Sequence, residues 1–274
     1  MKKQLAALVT AAALLVPFTP VQALAAGSYG QYGFAEVKTQ SADGGTYHLL
    51  EHSLLCGSEQ YPLNDLMHIL QNSSVAQEIN AYTSEDYTTY VFSTADEQDF
   101  YNLADIYTTC VLFPRLRTEP NIFGQQGIRI EYADGKAQYN GIVYNVLRLR
   151  NLDTAQNSLN FVSGQLYENL YGDTSPTFDA GGAIPDIFDL TYEDVIRVYD
   201  TYYTPSNMLV YTAGEQDIGK TLQMLDGYLD EADAGSTPDI QIEAEPIAQT
   251  QTVQEYNVTD ATQTVDIGFM AHGP

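Results

Sequence analysis

The sequence predicts an α+β domain in which helices pack on a mostly antiparallel sheet. Segments with apolar residues at helical spacing are interspersed with short, separated segments that alternate apolar and polar residues, an order typical of this fold class. The chain has 274 residues, enough to bury one large core or two small ones. No internal repeat is visible in it.

The first residues are typical of a secretory signal. Lys2 and Lys3 precede an apolar stretch from Leu5 to Phe18, and Ala23-Leu24-Ala25 matches a cleavage site. The apolar stretch is too short, and too interrupted by proline, for a membrane-spanning helix. Residues 1–25 therefore predict an exported protein, secreted or extracytoplasmic, with no membrane segment after the signal is removed.

The folded domain is expected to follow a linker. Residues 26–46 are rich in Gly, Ser, Gln and Tyr and show no apolar period, so they predict a linker and place the domain at 47–274. A first helix is predicted over about 47–55, because the Cys56-Gly57-Ser58 turn ends its pattern.

The later elements follow from spacing and from capping residues. Asn64 is a candidate N-cap for a helix through Leu70, and residues 88–94 alternate like a strand. Asp96 begins a helix whose apolar residues keep helical spacing until Pro114. Further helices are predicted at about 141–150, 159–170, 192–203 and 218–229, a Gly/Pro/Asp loop at 173–185, and strands at 207–213, 252–258 and 264–270.

The composition limits the class of partner. With 11 basic and 36 acidic residues, the chain has a net charge of −25, so it should repel nucleic acid and anionic membranes and attract cationic peptides. The alternative is that the acidity only keeps the protein soluble. Cys56 and Cys110 could pair in an oxidising compartment, but their apolar surroundings favour two buried thiols.

One short motif carries a specific chemistry. His48 and His52 stand four apart on the predicted first helix and share a face, so both imidazoles can reach one metal ion. Glu51 lies beside them and can accept a proton from a metal-bound water. This H-x-x-E-H pattern is typical of inverted zincins; the alternative is a half-exposed helix with two ordinary histidines. Of the four histidines, the other two are His68, expected on a helix surface, and His272, near a frayed end.

An ordered set of segments around this motif resembles the pitrilysin/insulinase family of zinc metallopeptidases, above all its presequence-protease branch. The segments that carry this resemblance are residues 47–58, Tyr61-Pro62-Leu63, 80–83, 88–90, 99–103, 111–114 and 202–207. The resemblance implies endopeptidase activity on short unfolded peptides, with Zn²⁺ held by His48 and His52 and with Glu51 as the catalytic base. It also implies that Asn80 and Ala81 bind the substrate; the alternative for Asn80 is a plain turn residue.

The resemblance exposes a departure at the third zinc ligand. The family supplies a glutamate from a later helix, in a segment similar to G-V-V-F-N-E-M-K. The corresponding segment here, Gly141-Ile142-Val143-Tyr144-Asn145-Val146-Leu147-Arg148, places Val146 at the ligand position, and valine cannot bind a metal. We expect Val146 to pack where the metal would lie. Asp153 and Glu131 are candidate substitutes, and rescue by either is the less favoured outcome.

Two further departures concern the ends of the domain. The family has several strands before the zinc helix, so this sheet is expected to lack its first strands and to expose an unpaired edge. Family enzymes also close a chamber with a second, similar half, which is not recognisable before Pro274. We therefore expect a fragment, one subunit of a two-chain enzyme, or the product of a decaying gene.

The sequence leaves two functions open. The first is a zinc metalloendopeptidase-like protein that is impaired at its third ligand and shows weak or no catalysis alone. The second is a non-catalytic pseudoprotease that binds peptides or pairs with an active partner chain. Val146 favours the second, whereas the retained Glu51 favours the first, because a protein that only binds peptides needs no catalytic base.

Overall fold

The structure, a computed structural model, describes residues 33–38, 45–84, 87–150, 166 and 180–238, with only the backbone described for 33–38. The strands are β1 (Gly33–Lys38), β2 (Glu78–Thr83), β3 (Tyr87–Ser93), β4 (Arg129–Ala133), β5 (Lys136–Asn140) and β6 (Met208–Leu209). The helices are α1 (Thr46–Leu54), α2 (Leu66–Ser73), α3 (Glu97–Leu112), α4 (Asn121–Gln126), α5 (Ile142–Arg150), α6 (Ile184–Ile187), α7 (Tyr192–Tyr202) and α8 (Ile218–Glu231).

Four strands form one antiparallel sheet in the order β2-β3-β1-β6, and β4 and β5 form a separate hairpin. In β3, Tyr90 and Phe92 are fully buried while Thr89 and Val91 are only partly covered, the alternation that a pleated strand gives. β2 lies at one end of the order, and no strand in the described ranges pairs with its outer edge. The predicted α+β fold is confirmed.

β1 overturns part of the prediction for the start of the domain. Residues 33–38 lie within the segment predicted as linker, yet they pair with β3 from Gly33↔Val91 to Lys38↔Tyr87 and with β6 at Glu36↔Leu209. The expected open edge is therefore covered along β3. The register shifts between Phe34 and Glu36, and such a short, irregular strand has little periodic pattern to reveal it.

The helix that carries the H-x-x-E-H motif lies in the core. Leu49, Leu50 and Leu54 of α1 are fully buried, and α1 packs against β2, α4, α5 and α7. Each such leucine contributes about 1.5–3 kcal/mol through burial. Since these leucines fix one side of α1, the residues at 48, 51 and 52 must lie on another side of the helix.

The predicted helices are confirmed where they are described, with one wrong cap. Asp96 caps α3 by accepting the Asp99 N–H at 2.8 Å. α2 instead begins at Leu66 with Asp65 as its N-cap residue, and Asn64 Oδ1 accepts a hydrogen bond from Arg115 Nη1 at 2.6 Å. The predicted strand at 207–213 is reduced to the two residues of β6. The predictions for 1–25, 159–170 apart from residue 166, 173–179, 252–258 and 264–270 lie outside the described residues.

Both cysteines are buried free thiols, as predicted. Burial raises the pKa of Cys56 and the pKa of Cys110 to about 12, so neither is a reactive thiolate near neutral pH. Within the described ranges, no helix combines the length and the apolar character needed to cross a bilayer.

Candidate active site

A cleft of about 790 Å³ opens beside α1. His48, Glu51 and His52 line it from α1, and residues 80–83 line it along β2. Its other walls come from α2 and from the region where α4, β4 and α5 meet. The structure therefore brings together the predicted metal ligands, the predicted base and the predicted substrate-binding residues in one cleft.

The two histidines of the motif face each other across one helical turn. The ring centroids of His48 and His52 lie 4.9 Å apart, with their planes inclined by 64°. Their i, i+4 spacing on α1 produces this proximity. Two neutral imidazoles at this separation can donate lone pairs to one metal ion.

His48 is oriented by a distant turn. Its Nδ1 lies 2.9 Å from the carbonyl oxygen of Gly181. Since a carbonyl only accepts hydrogen bonds, Nδ1 carries the proton and Nε2 is left with its lone pair toward other partners. Metal-binding histidines are commonly held in this way by a carbonyl or a carboxylate. No sequence pattern predicts this contact, because 133 residues separate its partners.

Glu51 and His52 are both shifted toward their neutral forms. Glu51 is 6% exposed, and burial raises its pKa from 4.5 to about 7. A hydrogen bond from Thr83 lowers this pKa, but by less than burial raises it. The Thr83 Oγ1 donates to Glu51 Oε2 at 2.5 Å. Burial, and then the neighbouring His48, lower the pKa of His52 from 6.5 to about 4. A carboxyl group that titrates near neutrality suits proton transfer, and a neutral imidazole suits metal binding.

Asn80 lies on the outer edge of β2 and is not a turn residue. Its Nδ2 donates to the Tyr82 hydroxyl at 2.9 Å, and its Oδ1 accepts the Ala81 N–H at 3.0 Å. Ala81 itself is buried. The side chain of Asn80 therefore accepts a hydrogen bond from the Ala81 N–H on the strand whose outer edge an added strand would pair with.

The residue at the predicted third ligand position is not packed in the core. Val146 is 39% exposed, whereas Val143 and Leu147 of the same helix are buried. The expectation that valine fills the place of the metal is wrong, because α5 turns its 143/147 face to the core and leaves 146 near solvent. Of the two candidate substitutes, Glu131 accepts hydrogen bonds from Arg129 and Asn140, both at 2.7 Å, and Asp153 lies outside the described residues.

The donor set fits zinc only in part. Across the described ranges, no group of three His, Cys, Asp or Glu side chains could hold a metal ion. Hydrolytic zinc sites supply three protein ligands and leave the fourth position to water or substrate. His48 and His52 match two of these ligands, so the described residues do not complete the set.

Some cleft residues were missed or misplaced by the sequence analysis. His68 lines the cleft from α2, although only a helix surface was predicted for it, so three of the four histidines share one cleft. No function was predicted for Thr83, yet its hydroxyl donates a hydrogen bond to the carboxylate of Glu51. Arg129 also lines the cleft. Apart from the resemblance of segment 80–83, no local pattern could reveal these contacts, since each depends on packing between distant segments.

Comparison with known proteins agrees with this geometry. The sequence profile of insulinase (peptidase family M16) matches residues 38–157, and that of the peptidase M16 inactive domain matches residues 189–274. The chain belongs to the insulinase family of peptidases. The first profile spans the motif on α1 and the whole of α5.

Relatives in this family include two presequence proteases. The mitochondrial presequence protease of Drosophila melanogaster is 38% identical over 187 residues, and that of Schizosaccharomyces pombe is 34% identical over 189 residues. These alignments cover 66% and 67% of this chain but 18% of each relative. The crystal structure of pitrilysin shares the fold, with a TM-score of 0.60 at 14% identity, over 79% of this chain and 22% of pitrilysin. The chain therefore spans about a fifth of the length of these proteins.

The expected localisation is wrong. Both presequence proteases are named as mitochondrial rather than secreted, which contradicts the prediction of a secreted or extracytoplasmic protein. The prediction rested only on the charge and hydropathy of residues 1–25, which lie outside the described residues. A basic start followed by an apolar stretch does not by itself define an export signal.

Proposed function

We propose that this chain carries an M16-type peptide-hydrolase site with a weakened metal centre. His48 and His52 are its metal ligands, Glu51 is its base, and its substrate is an extended, unfolded peptide. The observation that carries the proposal is the placement of His48, Glu51 and His52 in one cleft beside the outer edge of β2. When bound, Zn²⁺ would supply Lewis acidity and would lower the pKa of a coordinated water.

The chain's own residues prepare the site for proton transfer. The carboxyl of Glu51 can hold or release a proton near neutral pH, and the Thr83 hydroxyl fixes one of its oxygens at 2.5 Å. The Gly181 carbonyl fixes the ring of His48. Because these groups are held before any ligand arrives, little reorganisation is needed at the moment of reaction.

The peptide would bind by strand addition to β2. An exposed strand edge offers backbone donors and acceptors to an extended peptide, and residues 80–83 of this edge line the cleft. Binding then requires Asn80 to release the Ala81 N–H that it holds at 3.0 Å. The net charge of −25 favours basic peptides.

The weakness of the centre follows from Val146. The missing carboxylate removes one ligand bond and one negative charge, so zinc should bind far more loosely than in a three-ligand site. The presequence proteases are much longer than this chain, and we propose a second M16 half, on this or another polypeptide, as its partner.

A second candidate function is a peptide-binding pseudoprotease. Val146 is the observation that favours it, because it stands where the resemblance predicts the third ligand. In this case the cleft and the edge of β2 still bind a peptide, but no peptide bond is hydrolysed.

Hydrolysis of an unstructured basic peptide, measured by fluorescence in excess zinc, tests the proposal. The natural chain should cleave slowly, Val146→Glu should cleave at least about tenfold faster, and adding Glu51→Gln should abolish both activities. Val146 is partly exposed, so glutamate should be tolerated there. If neither form cleaves while both bind the peptide, the pseudoprotease is correct; cleavage that survives Glu51→Gln would contradict the proposed site.

A further inference from the structure

α5 presents an apolar face that the core does not use. Ile142, Val146 and Leu149 are 47%, 39% and 68% exposed, and their spacing of four and then three residues places them on one side of the helix. Val143 and Leu147 occupy the buried side. A surface helix normally turns polar residues outward, so this exposed stripe is unusual.

Contacts near both ends of α5 place this stripe beside the cleft. Near its start, the Tyr144 N–H donates to the Gly127 carbonyl at 3.3 Å, and Gln126, the neighbour of Gly127, lines the cleft. At its end, Arg150 Nη2 donates to the Gly182 carbonyl at 2.6 Å. The adjoining Gly181 accepts the hydrogen bond of His48. α5 therefore runs along the cleft wall toward the histidines, and Ile142 lines the cleft directly.

Polar side chains line the cleft together with Ile142. They include Gln125 and Gln126 of α4, which packs against α5, and Arg129 of β4. Ile142 offers exposed apolar surface in the cleft, and Val146 extends that surface by one turn along α5. A glutamate at 146 would have to lose hydration when an apolar group covered it, whereas valine gains from the same contact.

We propose that Ile142 and Val146 form a subsite for one apolar side chain of a peptide bound along β2. The proposal rests on the peptide binding proposed above and adds a specificity to it. Successive side chains of an extended peptide point to opposite faces, so every second side chain of a peptide paired with β2 points to the same face. One such side chain, if it is leucine-sized and apolar, covers the patch and removes it from water.

Equilibrium binding of two short labelled peptides to the full chain, in EDTA, tests the subsite. The peptides consist of Ser, Thr and Lys and differ at a single position, which is Leu in one and Gln in the other. We expect the Leu peptide to bind about fivefold more tightly, since the patch covers part of a leucine. In Ile142→Thr/Val146→Thr the ratio should fall to about one, because threonine keeps the β-branch but replaces part of the apolar surface with a hydroxyl, whose burial against leucine is unfavourable. Ile130→Thr, at an exposed position on the β4–β5 hairpin, should leave the ratio unchanged.

The outcomes separate this inference from the proposed function. Equal affinity for the two peptides, or a preference that persists in the double variant, overturns the subsite and leaves peptide binding intact. Absence of binding for both peptides overturns peptide binding itself and the subsite with it. A ratio that falls equally in the Ile130→Thr control also overturns the subsite, because the effect would then not belong to α5.

Discussion

Glu51 and His52 are neighbours on α1 whose neutral forms are favoured by the same burial. Their contributions to the free energy of unfolding depend on pH in opposite directions. Glu51 has a folded pKa of about 7 above its ordinary value of 4.5, so its contribution is fully present below pH 4.5 and is lost as the pH rises through 7. His52 has a folded pKa of about 4, below 6.5, so its contribution is present above pH 6.5 and is lost as the pH falls toward 4.

Glu51→Gln isolates the carboxyl from the histidine. In EDTA, the free energy of unfolding by urea should be similar for the variant and the natural chain at pH 4.5. At pH 8 the variant should be more stable, by at most about 3 kcal/mol, since each pKa unit corresponds to about 1.4 kcal/mol. Glu59→Gln removes one charge from an exposed position and controls for relief of overall repulsion. A difference that does not change between pH 4.5 and pH 8 would refute the buried, protonated carboxyl.

Residue-scale chemistry was predictable only where it was local. The sequence places His48, Glu51 and His52 on one helix face, because helical spacing is enough to do so. It also locates Val146 through the resemblance of its segment. Thr83 and Gly181 reach the motif across 32 and 133 residues, and no spacing rule connects segments that only folding brings together.

At the scale of elements, α5 depends on a close backbone contact. A Cβ on Gly141 would lie 2.0 Å from the Gly127 carbonyl oxygen, the same oxygen that accepts the Tyr144 N–H. Glycine at 141 is therefore required for α5 to begin where it does. This contact also sets the distance between α5 and the cleft wall at Gln126.

Gly141→Ala should destabilise the protein by about 2–3 kcal/mol, because the backbone of residue 127 must move to admit a methyl group. Gly227→Ala is the matched control. Gly227 lies inside α8 with nothing within 4 Å of an added Cβ, so alanine should stabilise by about 0.5–1 kcal/mol through helix propensity. Urea unfolding measures both variants. Equal effects of the two substitutions would contradict the contact.

Elements with strong periodicity were predicted well and weak ones were not. α3 was predicted from Asp96 and its apolar spacing, and its cap is present. β1 was assigned to a linker, because six residues with a register shift at Phe34/Glu36 carry little pattern. The pairing partners of β1, not its own sequence, define it as a strand.

At the scale of the whole molecule, the family and the fold are established, while the proposed activity depends on the residue at position 146. Two M16 profiles and the presequence proteases agree on the family, and pitrilysin shares the fold. The H-x-x-E-H motif and residues 80–83 of β2 line one cleft, and the Gly181 carbonyl contacts His48 at 2.9 Å. In the proposed function, Val146 takes the place of the third ligand, so the peptide site would hold zinc only loosely.

Zinc content after exhaustive dialysis tests this account most directly. The natural chain should lose its zinc, and Val146→Glu should retain about one ion per chain, since three protein ligands complete the set. Val146→Gln, which adds a side chain of similar size without a carboxylate, should lose zinc like the natural chain. If the natural chain keeps about one zinc and His48→Ala releases it, another group completes the site, and the weakened metal centre proposed here is wrong.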